Sequence, residues 1–204
     1  MKHDADAREL QDVGERLGIA LTQDRADRLL RFESLLRANA RSHGLIAAGD
    51  LDRIRDRHVA DCLRAAAVVD QGDAIAFDLG SGAGLPGIVV AIAVPDLEVT
   101  LVESRRRRVA FLELAVHELG LKNVAVAQTR IQEFAGQADV AFARALAPLL
   151  ESWALARPLL RVGGRLVYFA GERSEIPEVQ DAASVWVRSS TVLESGGPLV
   201  IMAR

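Results

Sequence analysis

The chain has 204 residues, of which 50% are hydrophobic and 26% charged, too apolar for a disordered chain. Its 25 basic and 28 acidic residues leave a net charge of −3, so any polyanion contact has to be a local patch and not a domain-wide field. No apolar run reaches the roughly 18 residues of a membrane span, and the lone Cys62 excludes a disulfide framework or a cysteine metal cluster within one chain.

The charged start, MKHDADAREL, lacks the apolar core of a secretion signal. A cytoplasmic monomer with no membrane partner and no metal is expected. Of the 25 basic residues only Lys2 and Lys122 are Lys, and the rest are Arg.

Residues 1–70 read as helical. Leu10, Val13 and Leu17 share a face of a first helix, and Thr22 is placed to cap a second that carries Leu29, Leu30, Phe32 and Leu36 and ends at Gly44. Asp50 is placed to cap a third, with Leu51, Ile54, Val59, Leu63 and Ala66 inside. From about residue 74 the period changes. Strands are expected at 74–79, 97–103, 124–128, 139–143, 165–170, 184–190 and 198–203. Helices are expected at 87–93, 106–119, 148–160 (broken by Gly163-Gly164) and 174–183. Alternating strand and helix predict a doubly wound α/β, Rossmann-like fold with a mostly parallel sheet of about seven strands. The last two strands, with no helix between them, predict an antiparallel hairpin at one edge. The expected organisation is a helical cap (1–70) packed as one unit with an α/β domain (71–204).

The strongest local signal is Asp78-Leu-Gly80-Ser-Gly82-Ala-Gly84-Leu85-Pro86-Gly87, after the first strand of the sheet, where open α/β sheets bind ligands. Glu103 ends the second strand, where a carboxylate can accept both hydroxyls of an adenosine ribose. Two cofactor classes share these features. The dinucleotide fingerprint G-x-G-x-x-G fails at its third glycine, which is Leu85 here. An S-adenosylmethionine site needs no pyrophosphate-binding helix end but does need an acid such as Asp78 beside the cationic end of the methionine, and it fits better.

The segments DLGSGAGLPGIVVA, VTLVESRRRRVAFLELAVHELGLKNV, RIQEF and DVAFARALAPL, in that order, resemble the glucose-inhibited-division protein B family. His58-Val-Ala-Asp61-Cys62-Leu63 is similar to that family's His-x-x-Asp-Ser-Leu segment. The resemblance implies a class I methyltransferase that uses S-adenosylmethionine to modify N7 of one guanine in 16S ribosomal RNA, with ribosomal RNA or the small ribosomal subunit as partner. It also implies that Gly80 and Leu85 lie along the methionine moiety, that Ile131 and Gln132 lie beside the adenine, and that Arg144 stands at the reaction end of the cleft. The sequence departs from the family at Gln132 (often an acid), at Ala170 (often Lys) and at Asn39–Ile46 (an Asn-Leu-Thr segment).

Guanine N7 carries a free lone pair, so its methylation needs alignment and no general base at the attacking atom. Arg144 is therefore expected to hold O6, a phosphate or the methionine carboxylate, or else to form a structural ion pair. Arg105-Arg106-Arg107-Arg108 opens a helix, where cations oppose the helix dipole. At least two of the four are expected to reach solvent, and Arg105 and Arg106, with His58, are the candidate RNA contacts. Tyr168, Phe169 and Trp186 offer either a stacking surface for a base or core packing. The rival functions are a non-catalytic S-adenosylmethionine- or RNA-binding module, a small-molecule methyltransferase and, least favoured, a dinucleotide oxidoreductase.

Overall fold

The computed structural model describes residues 2–171, 175–188 and 197–204. Helix α1 (Lys2–Arg16) buries Ala7, Leu10 and Val13, one face at a spacing of three. Helix α2 (Gln23–His43) starts at Thr22, whose backbone is extended and whose hydroxyl accepts from the Arg25 amide at 3.4 Å. It stops at Gly44, which takes the left-handed conformation (φ 61°) that glycine adopts without strain.

Residues 48–66 do not form the single helix expected. A 3₁₀ segment (Ala48–Arg53) leads into a π turn (Ile54–Val59) and then into α3 (Ala60–Ala66). The apolar spacing explains the change. Leu51 to Ile54 is three residues, Ile54 to Val59 is five and Val59 to Leu63 is four. The steps of three, five and four match the hydrogen-bond spans of the 3₁₀, π and α turns in that order. Asp50 lies inside the 3₁₀ segment and pairs with Arg57 at 3.3 Å instead of capping a helix.

The sheet contains β1 (Ile75–Leu79), β2 (Glu98–Glu103), β3 (Val124–Gln128), β4 (Ala138–Arg144), β5 (Leu160–Phe169), β6 (Ser184–Arg188) and β7 (Leu199–Ala203). Between them run α4 (Gly87–Ala93), α5 (Arg106–Leu119) and α6 (Leu149–Ala156). The strand order is β3-β2-β1-β4-β5-β7-β6, parallel throughout except for β7, which is antiparallel to both neighbours. The predicted hairpin is therefore β6–β7. β1 lies between β2 and β4, so the chain reverses its direction of winding there, and a crevice opens beyond the C-terminal ends of β1 and β4.

Helices α1 to α5 share one hydrophobic cluster with the sheet, including Leu10, Phe32, Leu63, Ile88, Phe111 and Phe142. A second cluster, with Phe77, Trp153, Leu160 and Met202, packs α6 on the other side. All seven residues of α4 are buried, which presses the loop before it tightly onto the sheet.

Two further expectations are corrected. The helix expected over 148–160 ends at Ala156, and after a 3₁₀ turn containing Pro158 the chain enters β5 at Leu160. Gly163 and Gly164 lie inside β5 and do not break a helix. Gly163 has φ 81°, a Cβ on Gly164 would stand 2.9 Å from the Ala138 carbonyl, and the pairing register shifts between Ala138 and Val140. The described part of the helix expected over 174–183 is non-helical, and Pro177 denies it an amide donor. Position 174, and positions 189–190 of the sixth expected strand, lie outside the described residues.

Candidate functional site

The site is built around the loop from β1 to α4. The amides of Gly80 and Ser81 both donate to the Val102 carbonyl of β2, at 2.9 and 3.0 Å, which folds the loop back over the end of the sheet. Gly80, Gly82 and Gly84 have φ of 71°, 55° and 79°. The alternate glycines therefore answer to three left-handed positions, where an L side chain is strained.

Asp78 is buried at 1% exposure below this loop. One carboxylate oxygen accepts from the Gly87 amide at 3.1 Å. A Cβ on Gly87 would lie 2.6 Å from that oxygen and 2.4 Å from Leu101, so position 87 admits only glycine beside this acid. Among the described residues Asp78 forms no ion pair, and burial pushes its carboxyl up to about 7.

Glu103 is also buried, and it closes the loop from the next strand. Its two oxygens accept from the Gly82 amide at 3.1 Å and from the Arg105 amide at 2.8 Å, and Arg108 stands 3.7 Å away.

A cleft of about 440 Å³ opens beside these groups, lined among others by Gly80, Glu103, Arg105, Ile131, Gln132 and Leu146. Ile131 is partly buried and Gln132 exposed, both in a short 3₁₀ turn (Ile131–Glu133) after β3. Gly82, Gly84 and Leu85 are buried in the loop itself. The far wall is Ala145 to Ala147, inside the DVAFARALAPL segment, with Glu151 and Leu155 beyond it. Ala145 has φ 53°, a strained value for a residue with a Cβ, at the turn that leads out of β4. Arg130, which opens the RIQEF segment and has no role assigned from the sequence, also lines the cleft.

Arg144 ends β4 on the other side of the loop. One guanidinium nitrogen donates to the Arg57 carbonyl at 3.3 Å, lies 3.0 Å from His58 Nδ1, and stands 3.6 Å from Asp61. The guanidinium covers the Phe169 ring at 5.7 Å from its centroid. His58 is almost wholly buried, and burial together with the charge of Arg144 pushes its imidazole down to about 4.

The four arginines divide into pairs. Arg107 donates to the Ser42 carbonyl and Arg108 to that of Gly44, so the last carbonyls of α2 hold both. Arg105 and Arg106 are exposed, and their side chains form no hydrogen bond or ion pair among the described residues. Of the aromatics, Tyr168 is partly buried and donates to the Ala147 carbonyl at 3.0 Å, while Trp186 is exposed on the edge strand β6. Ala170 is buried after β5. Cys62 is fully buried, and burial raises its thiol far above the ordinary range.

The family described as rRNA small subunit methyltransferase G matches residues 25–195. A protein named ribosomal RNA small subunit methyltransferase G from Kineococcus radiotolerans is 45% identical over 162 residues, covering 78% of this chain and 63% of that protein. One of the same name from Thermobifida fusca is 44% identical over 156 residues, 74% of this chain and 64% of that one. The match thus spans less than two thirds of the length of these relatives. A crystal structure of a methyltransferase from Geobacter sulfurreducens shares the fold, with a TM-score of 0.58 at 14% identity over 85% of this chain and 88% of that one.

Proposed function

The chain belongs to the rRNA small subunit methyltransferase G family, and from that premise we propose that it transfers a methyl group from S-adenosylmethionine to N7 of a guanine in small-subunit ribosomal RNA. The observation that carries this reading is the carboxylate of Asp78, buried and without an ion pair among the described residues, beneath a glycine loop whose other side holds Glu103. A ligand with an ammonium at one end and a ribose diol at the other answers both acids.

In this reading the methionine end lies along Gly80 and Leu85 with its ammonium toward Asp78. Glu103 receives the ribose, and Ile131 and Gln132 flank the adenine. When bound, S-adenosylmethionine supplies a methyl already activated on a sulfonium. The chain's task is then to hold the guanine in line and to exclude water. Arg144 steadies the base or an adjacent phosphate. Its five N–H groups are donors only, so it leaves the N7 lone pair free only if it contacts O6 or phosphate oxygen. Arg105 and Arg106 grip RNA phosphates at the rim. Residues 1–70 act as a cap on the domain that holds the cofactor, and the protein works as a monomer.

Calorimetry with S-adenosylmethionine and with NAD, followed by transfer of labelled methyl to small ribosomal subunits, naked ribosomal RNA and small molecules, tests the reading. Binding of the first ligand alone and transfer to ribosomal RNA or subunits are expected. Binding of NAD, or transfer only to small molecules, overturns it.

The binding should also depend on pH. Asp78 sits at about 7 in the free protein, and an ammonium beside it lowers that value. Binding therefore releases a proton, and affinity should rise roughly tenfold or more between pH 5 and pH 7 and then level off. Asp78→Asn should bind more weakly and lose this slope. A flat pH dependence in the wild type contradicts the role of Asp78.

The rim assignment predicts that the double variant Arg105→Ala/Arg106→Ala weakens RNA binding and lowers the slope of log affinity against log salt by about 1.5, two phosphates at roughly 0.7–0.9 each. An unchanged salt slope returns the pair to simple solvation.

A further inference from the structure

We propose that His58 and Asp61 are positioning residues that clamp the Arg144 guanidinium at the end of β4, with Asp61 sharing its charge between Arg144 and Arg64. The inference rests on the methyltransferase reading, in which Arg144 touches the ligand, and it adds how that guanidinium is aimed.

The geometry comes from residues outside the sheet. His58 lies in the π turn and Asp61 three residues on in α3, so both face the same way. His58 Nδ1 is 3.0 Å from Arg144. A guanidinium has only donors, so Nδ1 has to accept, and the imidazole proton is fixed on Nε2. Among the described residues that Nε2 is buried without a hydrogen-bond partner, its nearest acid being Asp50 at 4.0 Å. The charged groups facing the ring are Arg144 from β4, Asp50 and Arg53 from the 3₁₀ segment, and its neighbour Arg57. The ring stays neutral across the physiological range, which is the form that can receive Arg144.

The carboxylate of Asp61 completes the clamp. One oxygen accepts from Arg64 at 2.7 Å, and the other stands 3.6 Å from Arg144. Asp61 and Arg64 are 7% and 5% exposed, so water screens this pair little. Arg64 also donates to the carbonyls of Gly197 at 2.9 Å and Arg188 at 3.3 Å. A continuous chain of contacts thus runs from Arg144 through the buried Asp61 and Arg64 to the end of β6 and to Gly197, two residues before β7. His58 spends its acceptor on Arg144 and keeps its donor inside, which leaves no free ring nitrogen to read RNA.

The test compares His58→Leu, which removes the acceptor at similar volume, with His58→Asn, whose amide oxygen stands near the place of Nδ1. Nitrogen NMR of the Arg144 guanidinium should show restrained, separate Nη signals in the wild type and in His58→Asn, and averaged signals in His58→Leu. Whichever constant Arg144→Ala changes, kcat or KM, His58→Leu should worsen by about tenfold and His58→Asn by less than about threefold. The double variant His58→Leu/Arg144→Ala should be no worse than Arg144→Ala alone. Additive losses, or unchanged Arg144 signals in His58→Leu, overturn the clamp. Expected Arg144 signals in a wild-type protein that neither binds S-adenosylmethionine nor transfers methyl would instead overturn the functional reading and leave the clamp standing.

Discussion

Replacing Gly82 by Val is expected to lower S-adenosylmethionine affinity by at least about a hundredfold, equivalent to roughly 2.7 kcal/mol, while the protein stays folded. Of the loop glycines this one best separates binding from folding. A Cβ at Gly84 would meet Ile88 at 2.5 Å and Leu112 at 3.2 Å, and one at Gly87 would meet Leu101 at 2.4 Å, so both changes strike the core. A Cβ at Gly82 meets nothing nearer than 3.6 Å, the Arg108 guanidinium and the Gly80 carbonyl. The remaining cost is conformational. At φ 55° a side chain costs about 1–2 kcal/mol, and a β-branched one is held in few rotamers. Relief of that strain moves the Gly82 amide away from Glu103, which it meets at 3.1 Å. In the proposed reading Glu103, which receives the ribose, then loses the donor that orients it. Calorimetry gives the affinity and thermal melting gives the fold. Wild-type affinity in Gly82→Val removes the loop from the cofactor site.

The parts of this site that were legible in the sequence are those where local chemistry and topology coincide. Asp78 and the glycines stand at a strand end, and Glu103 stands at the next one. Asp78 follows from a short apolar run giving way to a glycine loop and Glu103 from an alternating strand that ends there, and the register of β1 with β2, Leu79 against Val102, brings them together. The helix over 106–119 was readable because Gly120 ends it and its apolar residues recur on one face. Other features depended on partners distant in sequence. The division of the arginine run, with Arg107 and Arg108 held and Arg105 and Arg106 without a side-chain partner among the described residues, is decided by where the carbonyls at the end of α2 and its cap lie, more than sixty residues earlier. His58 stands apart from the other three histidines in the sequence, and only the fold brings it within reach of Arg144, 86 positions later. Gly163-Gly164 reads as a break because glycine weakens both helix and strand, and the choice of a bulge in β5 is made by the Ala138 carbonyl packed against Gly164. The 48–66 stretch differs from a single helix for a simpler reason: the steps of three, five and four between Leu51, Ile54, Val59 and Leu63 do not fit a uniform period of 3.6.

Arg144→Ala should reduce methyl transfer to small ribosomal subunits by a hundredfold or more, which corresponds to about 2.7 kcal/mol of lost transition-state stabilisation. The guanidinium stands at the end of β4, its side chain is 19% exposed, and it is held by the Arg57 carbonyl, His58 and Asp61 on one side and by the Phe169 ring on another. A long flexible side chain restrained in this way has already lost the rotamer freedom that ligand contact would otherwise cost. Its removal also has a structural cost. His58 Nδ1 is left buried without a donor, a loss of about 1–3 kcal/mol, so melting temperature has to be measured beside activity. Arg144→Lys separates the two effects. It keeps the charge near Asp61 but offers a point donor where the planar fork stood. If Arg144 serves only as an ion-pair partner, Lys should restore both stability and transfer. If it also orients the base or a phosphate, Lys should restore most of the stability while transfer remains at least about tenfold below wild type. Full activity in Arg144→Ala, in a protein that melts as the wild type does, removes Arg144 from the reaction and reduces its contacts to packing at the end of the strand.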